Sequence, residues 1–272
     1  MDKTISGIFE NHGISLCGAV KYADCGAANA RLHEECADMK TVFVFAVPYR
    51  TGKTPSDGLA VSEYARVYDY HQYFETLFSS LIPALRSAFP KNVFKGFADH
   101  SPINEKKAAS AASLGVVGMN TLLITKDYGS YVFLGSVITD LETETENSVV
   151  KPCIRCGRCV SACPGKAISE SGIDTNRCVS AITQKKIITD EEKNVIVSNK
   201  AVWGCDVCQS VCPMNEGALT TGEKYFTLGF LPSFSHDIIS GMDDAEFGRY
   251  PFAWRKKDVI LRNLDLVEKY EK

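Results

Sequence analysis

The sequence lacks a hydrophobic run long enough to cross a membrane. The longest such run, Thr41 to Pro48, is far short of the roughly 18 apolar residues that a bilayer span needs. The first residues also lack the basic start and apolar core of a secretory signal. The net charge is only −3, so no global positive field indicates nucleic acid. These absences favour a cytoplasmic protein that does not associate with membranes.

Cysteine is missing from residues 37 to 152 and crowded after them. The chain of 272 residues has 11 cysteines, and all but three of them fall between Cys153 and Cys212. An odd total in a chain without a signal argues against a disulfide framework. A clustered set of cysteines in a reducing compartment indicates a metal site instead.

The first cysteines of this segment have a diagnostic spacing, Cys153-x2-Cys156-x2-Cys159-x3-Cys163-Pro164. It is the spacing of a bacterial [4Fe–4S] run, in which three cysteines hold one cubane and the fourth ligates the other cluster. Zinc sites use Cys-x2-Cys pairs but seldom this three-step run. The spacing therefore predicts iron–sulfur clusters.

The later cysteines complete two sets of ligands. The run Cys205-x2-Cys208-x3-Cys212-Pro213 has only three cysteines, and the isolated Cys178 can supply a fourth, although a buried structural thiol is the alternative. Crossed ligation predicts one cluster on Cys153, Cys156, Cys159 and Cys212, and a second on Cys163, Cys178, Cys205 and Cys208. We assign no role to Cys17, Cys25 and Cys36.

Hydrophobic periodicity predicts both helices and strands along the chain. We expect helices over 2–12, 61–89, 105–113 and 257–271, strands over 41–47 and 92–97, and a hairpin joining 120–125 to 130–141. The helix over 61–89 has too many aromatic residues for one face, which either core packing or a flat cofactor would explain. We expect a first domain over 1–147, a double-cluster ferredoxin-like domain over 148–218, and a C-terminal segment over 219–272 whose last helix packs on the core.

Several stretches resemble those of the epoxyqueuosine reductase family, corrinoid and iron–sulfur enzymes that complete queuosine in tRNA. They are Ser62-Glu63-Tyr64-Ala65-Arg66 with Asp69-Tyr70-His71, Asp99-His100-Ser101-Pro102 with Glu105-Lys106, the stretch 114–134, Arg177 to Ser180, Trp203 to Gln209, and Leu261-Arg262-Asn263. The irregular second cysteine set is the most specific sign, because generic two-cluster ferredoxins lack it.

The resemblance implies an α+β fold in which residues 1–147 form a domain that binds cobalamin, with the corrin next to one cluster. Electrons from a flavodoxin- or ferredoxin-like donor would pass through the clusters to cobalamin, which would reduce the epoxide of the modified base to an alkene. Asp99 matches the family's proton donor, and a carboxyl with a raised pKa can supply a proton at neutral pH. By itself, Asp99 is typical of a turn or a helix N-cap. The resemblance also implies cofactor contacts at Tyr64, Arg66, Tyr70, His71, Asn120 and Ser180. We expect the protein to be a monomer.

Two other functions fit the same residues. Met119 stands where the family usually has lysine, and we expect a short form without the helical repeats that help the family to hold tRNA. These departures favour a corrinoid-dependent reductase of a small molecule. A two-cluster electron carrier without cobalamin is the other alternative, against which the retained Asp99 and Tyr64–Arg66 segments argue. The sequence has no dinucleotide-binding glycine fingerprint, so no direct NAD(P)H site is expected.

Overall fold

The computed structural model describes residues 2–145 and 150–270. Numbered along the chain, its helices are α1 (Lys3–Asn11), α2 (Ala30–Glu34), α3 (Tyr70–Ala88), α4 (Glu105–Ala111), α5 (Arg158–Ala162), α6 (Val179–Thr183), α7 (Asp190–Ser198), α8 (Val207–Ser210), α9 (Lys224–Leu228), α10 (His236–Gly241), α11 (Asp244–Phe247) and α12 (Lys257–Tyr270). Its strands are β1 (Cys17–Lys21), β2 (Thr41–Pro48), β3 (Ala60–Val61), β4 (Phe94–Phe97), β5 (Gly115–Val117), β6 (Leu123–Thr125), β7 (Val132–Thr139), β8 (Ile168–Ser169), β9 (Gly172–Ile173) and β10 (Ala201–Trp203). This mixture confirms the expected α+β fold.

The chain divides into two compact units. The first comprises Met1–Pro48, Tyr70–Gly118 and Leu122–Cys153, and the second comprises Tyr49–Asp69, Met119–Thr121 and Ile154–Lys272. The loop region that begins at Tyr49 therefore belongs with the cysteine segment. Residues 219–272, which the sequence suggested as a separate segment, also belong to that second unit.

An antiparallel sheet with the strand order β1-β2-β7-β4 forms the centre of the first unit. Strand β2 is buried from Thr41 to Val47 because helices cover both of its faces. On one face Val42 and Val44 share a core with the small residues Ala108 and Ala109 of α4. On the other face the aromatic rings of Phe43 and Phe45 contact Phe9 of α1. Cys25 and Cys36 are also buried in the first unit.

The helix predicted over 61–89 begins only at Tyr70. Before it, β3 pairs with β10 in parallel, and residues 63–66 form a single 3-10 turn. The backbone amide of Ser62 donates to the carbonyl of Trp203, and that of Glu63 donates to the Asp206 carboxylate. These distant partners hold the segment in a non-helical path. The buried aromatic face of α3 packs in the core, since Phe74 contacts Phe45 and Phe78.

The predicted hairpin is wrong in its strand pairing. Residues Thr125 to Gly129 do close a turn, in which the amide of Thr125 donates to the carbonyl of Gly129 at 2.8 Å. Beyond that turn, however, β6 pairs with β5, whereas β7 pairs with β2 and β4. Two apolar runs joined by a glycine turn are typical of a hairpin, but here each run pairs with other strands.

The second unit has its own apolar core around Trp203 and Phe252. Helix α12 confirms the predicted last helix from Lys257 as far as Tyr270, and Glu271 lies outside the described residues. The side-chain amide of Asn263 in α12 donates to the carbonyls of Thr183 and Val202, which fixes the helix against α6 and β10. Within the part of the chain that the structure describes, no helix is both long and apolar enough to cross a membrane.

Candidate functional site

Four cysteines from three segments of the second unit lie near one another. Cys163 and Cys178 both act electrostatically on Cys205 and Cys208. Burial, with smaller contributions from these neighbouring groups, raises the pKa of Cys205 to about 11 and that of Cys208 to about 12. Half-buried thiols that lie together ionise only beside a compensating cation, and a metal centre deprotonates such thiols when it binds. The chemistry of this donor set therefore fits an iron–sulfur cluster.

Short-range backbone structure holds the first two of these cysteines. Cys163 ends α5, and its Sγ accepts a hydrogen bond from the backbone amide of Ala167 at 3.3 Å. Cys178 stands at the start of α6. Between them, a Cβ on Gly165 would lie 1.8 Å from the carbonyl oxygen of Arg177, so the two chain segments touch where only glycine fits.

The other predicted ligand set is divided between the units. Cys153 is the last residue of the first unit, and Cys156, Cys159 and Cys212 belong to the second. Helix α5, which contains Cys159, packs against α8, and Cys212 follows α8 closely. Among residues 2–145 and 150–270, no three His, Cys, Asp or Glu side chains are arranged to hold a single metal ion.

Asp206 connects the 3-10 turn to the loop between Cys205 and Cys208. Its carboxylate accepts hydrogen bonds from the hydroxyl of Ser62 at 2.5 Å, the amide of Glu63 at 2.6 Å and the side chain of Gln209 at 2.8 Å. Such a network keeps a buried carboxylate satisfied. The turn that contains Tyr64 and Arg66 is thereby fixed to the cysteine loop.

Three of the predicted cofactor contacts hold the second unit together. The guanidinium of Arg66 is 1% exposed and pairs with both oxygens of Asp57 at 2.9 Å. The hydroxyl of Tyr64 accepts hydrogen bonds from Trp203 at 3.1 Å and Gln184 at 3.5 Å. The side chain of Asn120 donates to the carbonyl of Cys208 at 3.3 Å. A buried guanidinium engaged in this way presents no free edge to a cofactor.

Tyr70, His71 and Asp99 come together in the first unit. The His71 Nε2 atom lies 3.6 Å from Asp99 Oδ2, and their side chains are 46% and 68% exposed. The hydroxyl of Tyr70 also donates to Asp99. The ring of Tyr70 is tilted against that of His71, with centroids 4.1 Å apart, and stacks on Phe133, with centroids 4.4 Å apart. An acid and a base therefore lie together on an open face, next to aromatic rings. Ser180, the remaining predicted contact, is half-buried in α6 of the second unit.

The pKa of Asp99 differs from the expectation. The interaction with His71 is the largest cause that lowers the pKa of Asp99 below its ordinary value, against an opposing effect of burial. At neutral pH this carboxyl is ionised at rest, whereas the sequence suggested a carboxyl with a raised pKa. The alternative of a helix cap is also wrong, because Asn104 caps α4 by accepting from the amide of Lys107 at 3.0 Å.

The pKa of a second carboxyl, that of Glu105, is shifted in the opposite direction. Burial, followed by the neighbouring charge of Asp99, raises the pKa of Glu105 to about 8. Its Oε1 atom is buried and has no hydrogen-bond partner among the described residues. In the sequence, Glu105 is recognisable only as part of the family resemblance, because nothing there indicates that the first residue of a helix is half-buried.

Residues 152–215 match the family described as 4Fe-4S double cluster binding domain. The match covers the whole cysteine segment, and it agrees with the donor set that Cys163, Cys178, Cys205 and Cys208 provide. Together they define an iron–sulfur protein of the double-cluster class.

Proteins that are similar to this chain well beyond the cysteine segment identify a family within this class. The chain is 33% identical to the epoxyqueuosine reductase of Gloeobacter violaceus over 222 residues, which are 78% of this chain and 69% of that protein. It is 35% identical to the epoxyqueuosine reductase of Aliivibrio fischeri over 168 residues, 61% of this chain and 45% of that protein. The chain belongs to the epoxyqueuosine reductase family, and it spans about half to two-thirds of the length of these relatives.

A solved structure shares the fold. It is a crystal structure of epoxyqueuosine reductase with a tRNA-Tyr epoxyqueuosine-modified tRNA stem loop. The TM-score is 0.80 at 22% sequence identity, and the similarity covers 97% of this chain and 79% of that chain. The fold of nearly the whole chain is therefore that of an epoxyqueuosine reductase.

Proposed function

We propose that this chain is an iron–sulfur- and cobalamin-dependent reductase that converts epoxyqueuosine to queuosine in tRNA. The observation that carries the proposal is Asp99, which is exposed and paired with His71 in a chain of this family. An epoxide oxygen that leaves as an alkoxide needs a proton, and a positioned carboxyl can deliver one. The stem loop bound to the structurally similar reductase supports tRNA as the substrate.

Two clusters would conduct electrons through the cysteine segment. We assign Cys163, Cys178, Cys205 and Cys208 to one [4Fe–4S] cluster, supported by their proximity in the second unit. We assign Cys153, Cys156, Cys159 and Cys212 to the other, on their spacing and the match to a double-cluster domain. A flavodoxin- or ferredoxin-like donor would reduce them.

The first unit offers groups that suit a large planar cofactor. Tyr70 is half-buried between the rings of His71 and Phe133, and the paired side chains of His71 and Asp99 are partly exposed. We propose that Tyr70 and His71 contact cobalamin, whereas Tyr64, Arg66 and Asn120 fix the backbone of the second unit. When bound, cobalamin supplies the reducing equivalents for the epoxide carbon.

Asp99 would act on the substrate oxygen. Its carboxyl gives a proton to that oxygen when the C–O bond breaks, and the exposed position lets a base on an RNA loop reach it. His71 and Tyr70 orient the carboxylate between turnovers. Because the pKa of Asp99 is lowered, the carboxyl must receive a proton again before each turnover.

Anaerobic reconstitution tests the proposal. The chain should bind about eight irons, shift the visible bands of added cobalamin, and form queuosine from an epoxyqueuosine-containing stem loop. Asp99→Asn should keep both cofactors and lose turnover, whereas Asp127→Asn, at an exposed turn of the same unit, should resemble the parent protein. Intact clusters without any effect on cobalamin would leave an electron carrier and refute the proposal.

A further inference from the structure

Two carboxyls with different environments share one loop of the first unit. The loop after β4 places Asp99 at φ +61, a left-handed conformation that is uncommon for a residue with a side chain. In this conformation the backbone amide of Asp99 donates a hydrogen bond to the carboxyl of Glu105. The strained backbone persists only where its surroundings hold it, and this hydrogen bond is one such restraint.

The segment between the two carboxyls is also held in place. The amide of Ala28 donates to the carbonyl of Pro102 at 3.1 Å, and the amide of Asn104 donates to the carbonyl of Gly26 at 2.9 Å. Glu105 then begins α4 with its Oε1 buried and without a partner in the described chain. A buried carboxyl oxygen in this position favours a neutral acid over an unpaired anion.

Few other charges act on Glu105. Asp99 opposes its ionisation, whereas His71 and the adjacent Lys106 favour it, and burial outweighs both. The strands packed most closely on α4 are β1, β2, β5, β6 and β7. They contain one charged residue, the exposed Lys21, and one titratable thiol, Cys17, whose pKa burial raises to about 12. Paired carboxyls whose environments differ in this way divide the roles of acid and base between them.

We propose that Glu105 is the proton reservoir of this site: it holds the amide of Asp99 in place and returns a proton to the Asp99 carboxylate between turnovers. This inference rests on the proposed function. Glu105 acts through Asp99 and does not itself touch the substrate, so it is a positioning residue. At neutral pH the pair carries one proton, which resides on Glu105 while Asp99 is ionised beside His71.

The reaction balances with one proton drawn from this pair. Reduction of an epoxide to an alkene takes two electrons and two protons and releases the oxygen as water. The electrons come from the external donor through the two clusters and cobalamin. Asp99 gives one proton to the epoxide oxygen and regains it from Glu105, which is protonated again from solvent. The second proton comes from solvent.

The first test is independent of activity. Infrared spectra of the holoprotein, recorded over a pH series, should show the C=O stretch of a protonated carboxyl that disappears with a midpoint at about pH 8. Glu105→Gln should remove this band, and Glu35→Gln, an exposed residue paired with Arg31, should leave it. Asp99→Asn should lower the midpoint because the neighbouring negative charge is gone. No such band near neutral pH would overturn the inference.

The second test follows turnover on the epoxyqueuosine stem loop. Glutamine retains the carbonyl that accepts from Asp99, so Glu105→Gln removes the proton and keeps the hydrogen bond. We expect turnover at pH 7.5 to fall about tenfold or more, its pH profile to shift to lower pH, and Glu105→Asp to recover part of the rate. An unchanged pH profile in Glu105→Gln would overturn the inference. A titrating band in a protein that never reduces the stem loop would support the shared proton and refute the proposed substrate.

Discussion

Replacing Gly165 by alanine tests how the cysteine segment is built. The added Cβ would lie 1.8 Å from the carbonyl oxygen of Arg177. An ordinary contact between these atoms is above 3 Å, so the two segments must separate by roughly 1 Å or more. Overpacking of this kind costs about 1–3 kcal/mol and more when the opposing atom is backbone. No flexible side chain is available here to absorb the change.

The substitution should also affect the proposed cluster, because Gly165 and Arg177 are close in sequence to two of its cysteines. Gly165 stands two residues after Cys163, and Arg177 directly precedes Cys178. Metal–ligand distances tolerate deviations of about 0.2 Å, so a separation near 1 Å exceeds what one cluster can accept at both cysteines. We expect Gly165→Ala to lower iron and sulfide from about eight to about four per chain, with a matching loss of visible absorbance.

A matched substitution controls for the loss of glycine itself. Gly222 lies in the same unit, and an added Cβ there would meet nothing within 4 Å. Gly222→Ala should keep about eight irons. If Gly165→Ala also kept its full iron content, residues 163–165 and 177–178 would not lie together, and the assignment of their cysteines to one cluster would fail.

Three further predictions concern the clusters, the core and the acidic pair. Cys178→Ser should bind about four irons in place of about eight, whereas Cys36→Ser, in the core of the first unit, should bind the full number. Asp57→Ala leaves the buried Arg66 guanidinium without its partner and should lower the free energy of unfolding by about 3–5 kcal/mol in denaturant titrations. Adding Arg66→Met should restore part of this lost stability. A loss below about 1 kcal/mol in Asp57→Ala would contradict the buried pair. Because the pKa of Glu105 is raised to about 8 in the folded state, ionisation of its carboxyl lowers the stability of the fold as the pH rises from about 4.5 to about 8. Glu105→Gln should therefore gain stability relative to the parent at pH 9 and gain none at pH 4, and a constant difference in denaturant midpoint across that range would refute the shift.

Local patterns predicted the elements whose own residues carry a clear apolar or periodic signal. The apolar run 41–47 was enough to identify β2, and the final helix followed from its periodicity. The segment 61–69 has the composition of a helix, but its amides bond to Trp203 and Asp206, far along the chain. An apolar run also does not specify which strand it pairs with, and this explains why the predicted hairpin is wrong.

The site, too, could be predicted only where it depends on residues that are close in the sequence. Cysteine spacing identified the clusters because a cubane imposes short, fixed steps on the chain. The lowered pKa of Asp99 could not be predicted, since it depends on His71, which lies in α3 and far from Asp99 in the sequence. The buried pairing of Arg66 with Asp57 was equally hidden, because residues 49–58 have the polar composition of an ordinary loop. Charge environment is a property of the folded chain, and short motifs describe it poorly.

The most direct measurement of the central claim is a single-turnover assay under anaerobic conditions. The chain would be reconstituted with iron, sulfide and cobalamin, reduced chemically, and mixed with an epoxyqueuosine-containing tRNA stem loop. Mass analysis of the digested RNA should show queuosine, and Asp99→Asn should prevent its formation while both cofactors stay bound. Unchanged epoxyqueuosine after incubation with the fully loaded parent protein would contradict the account.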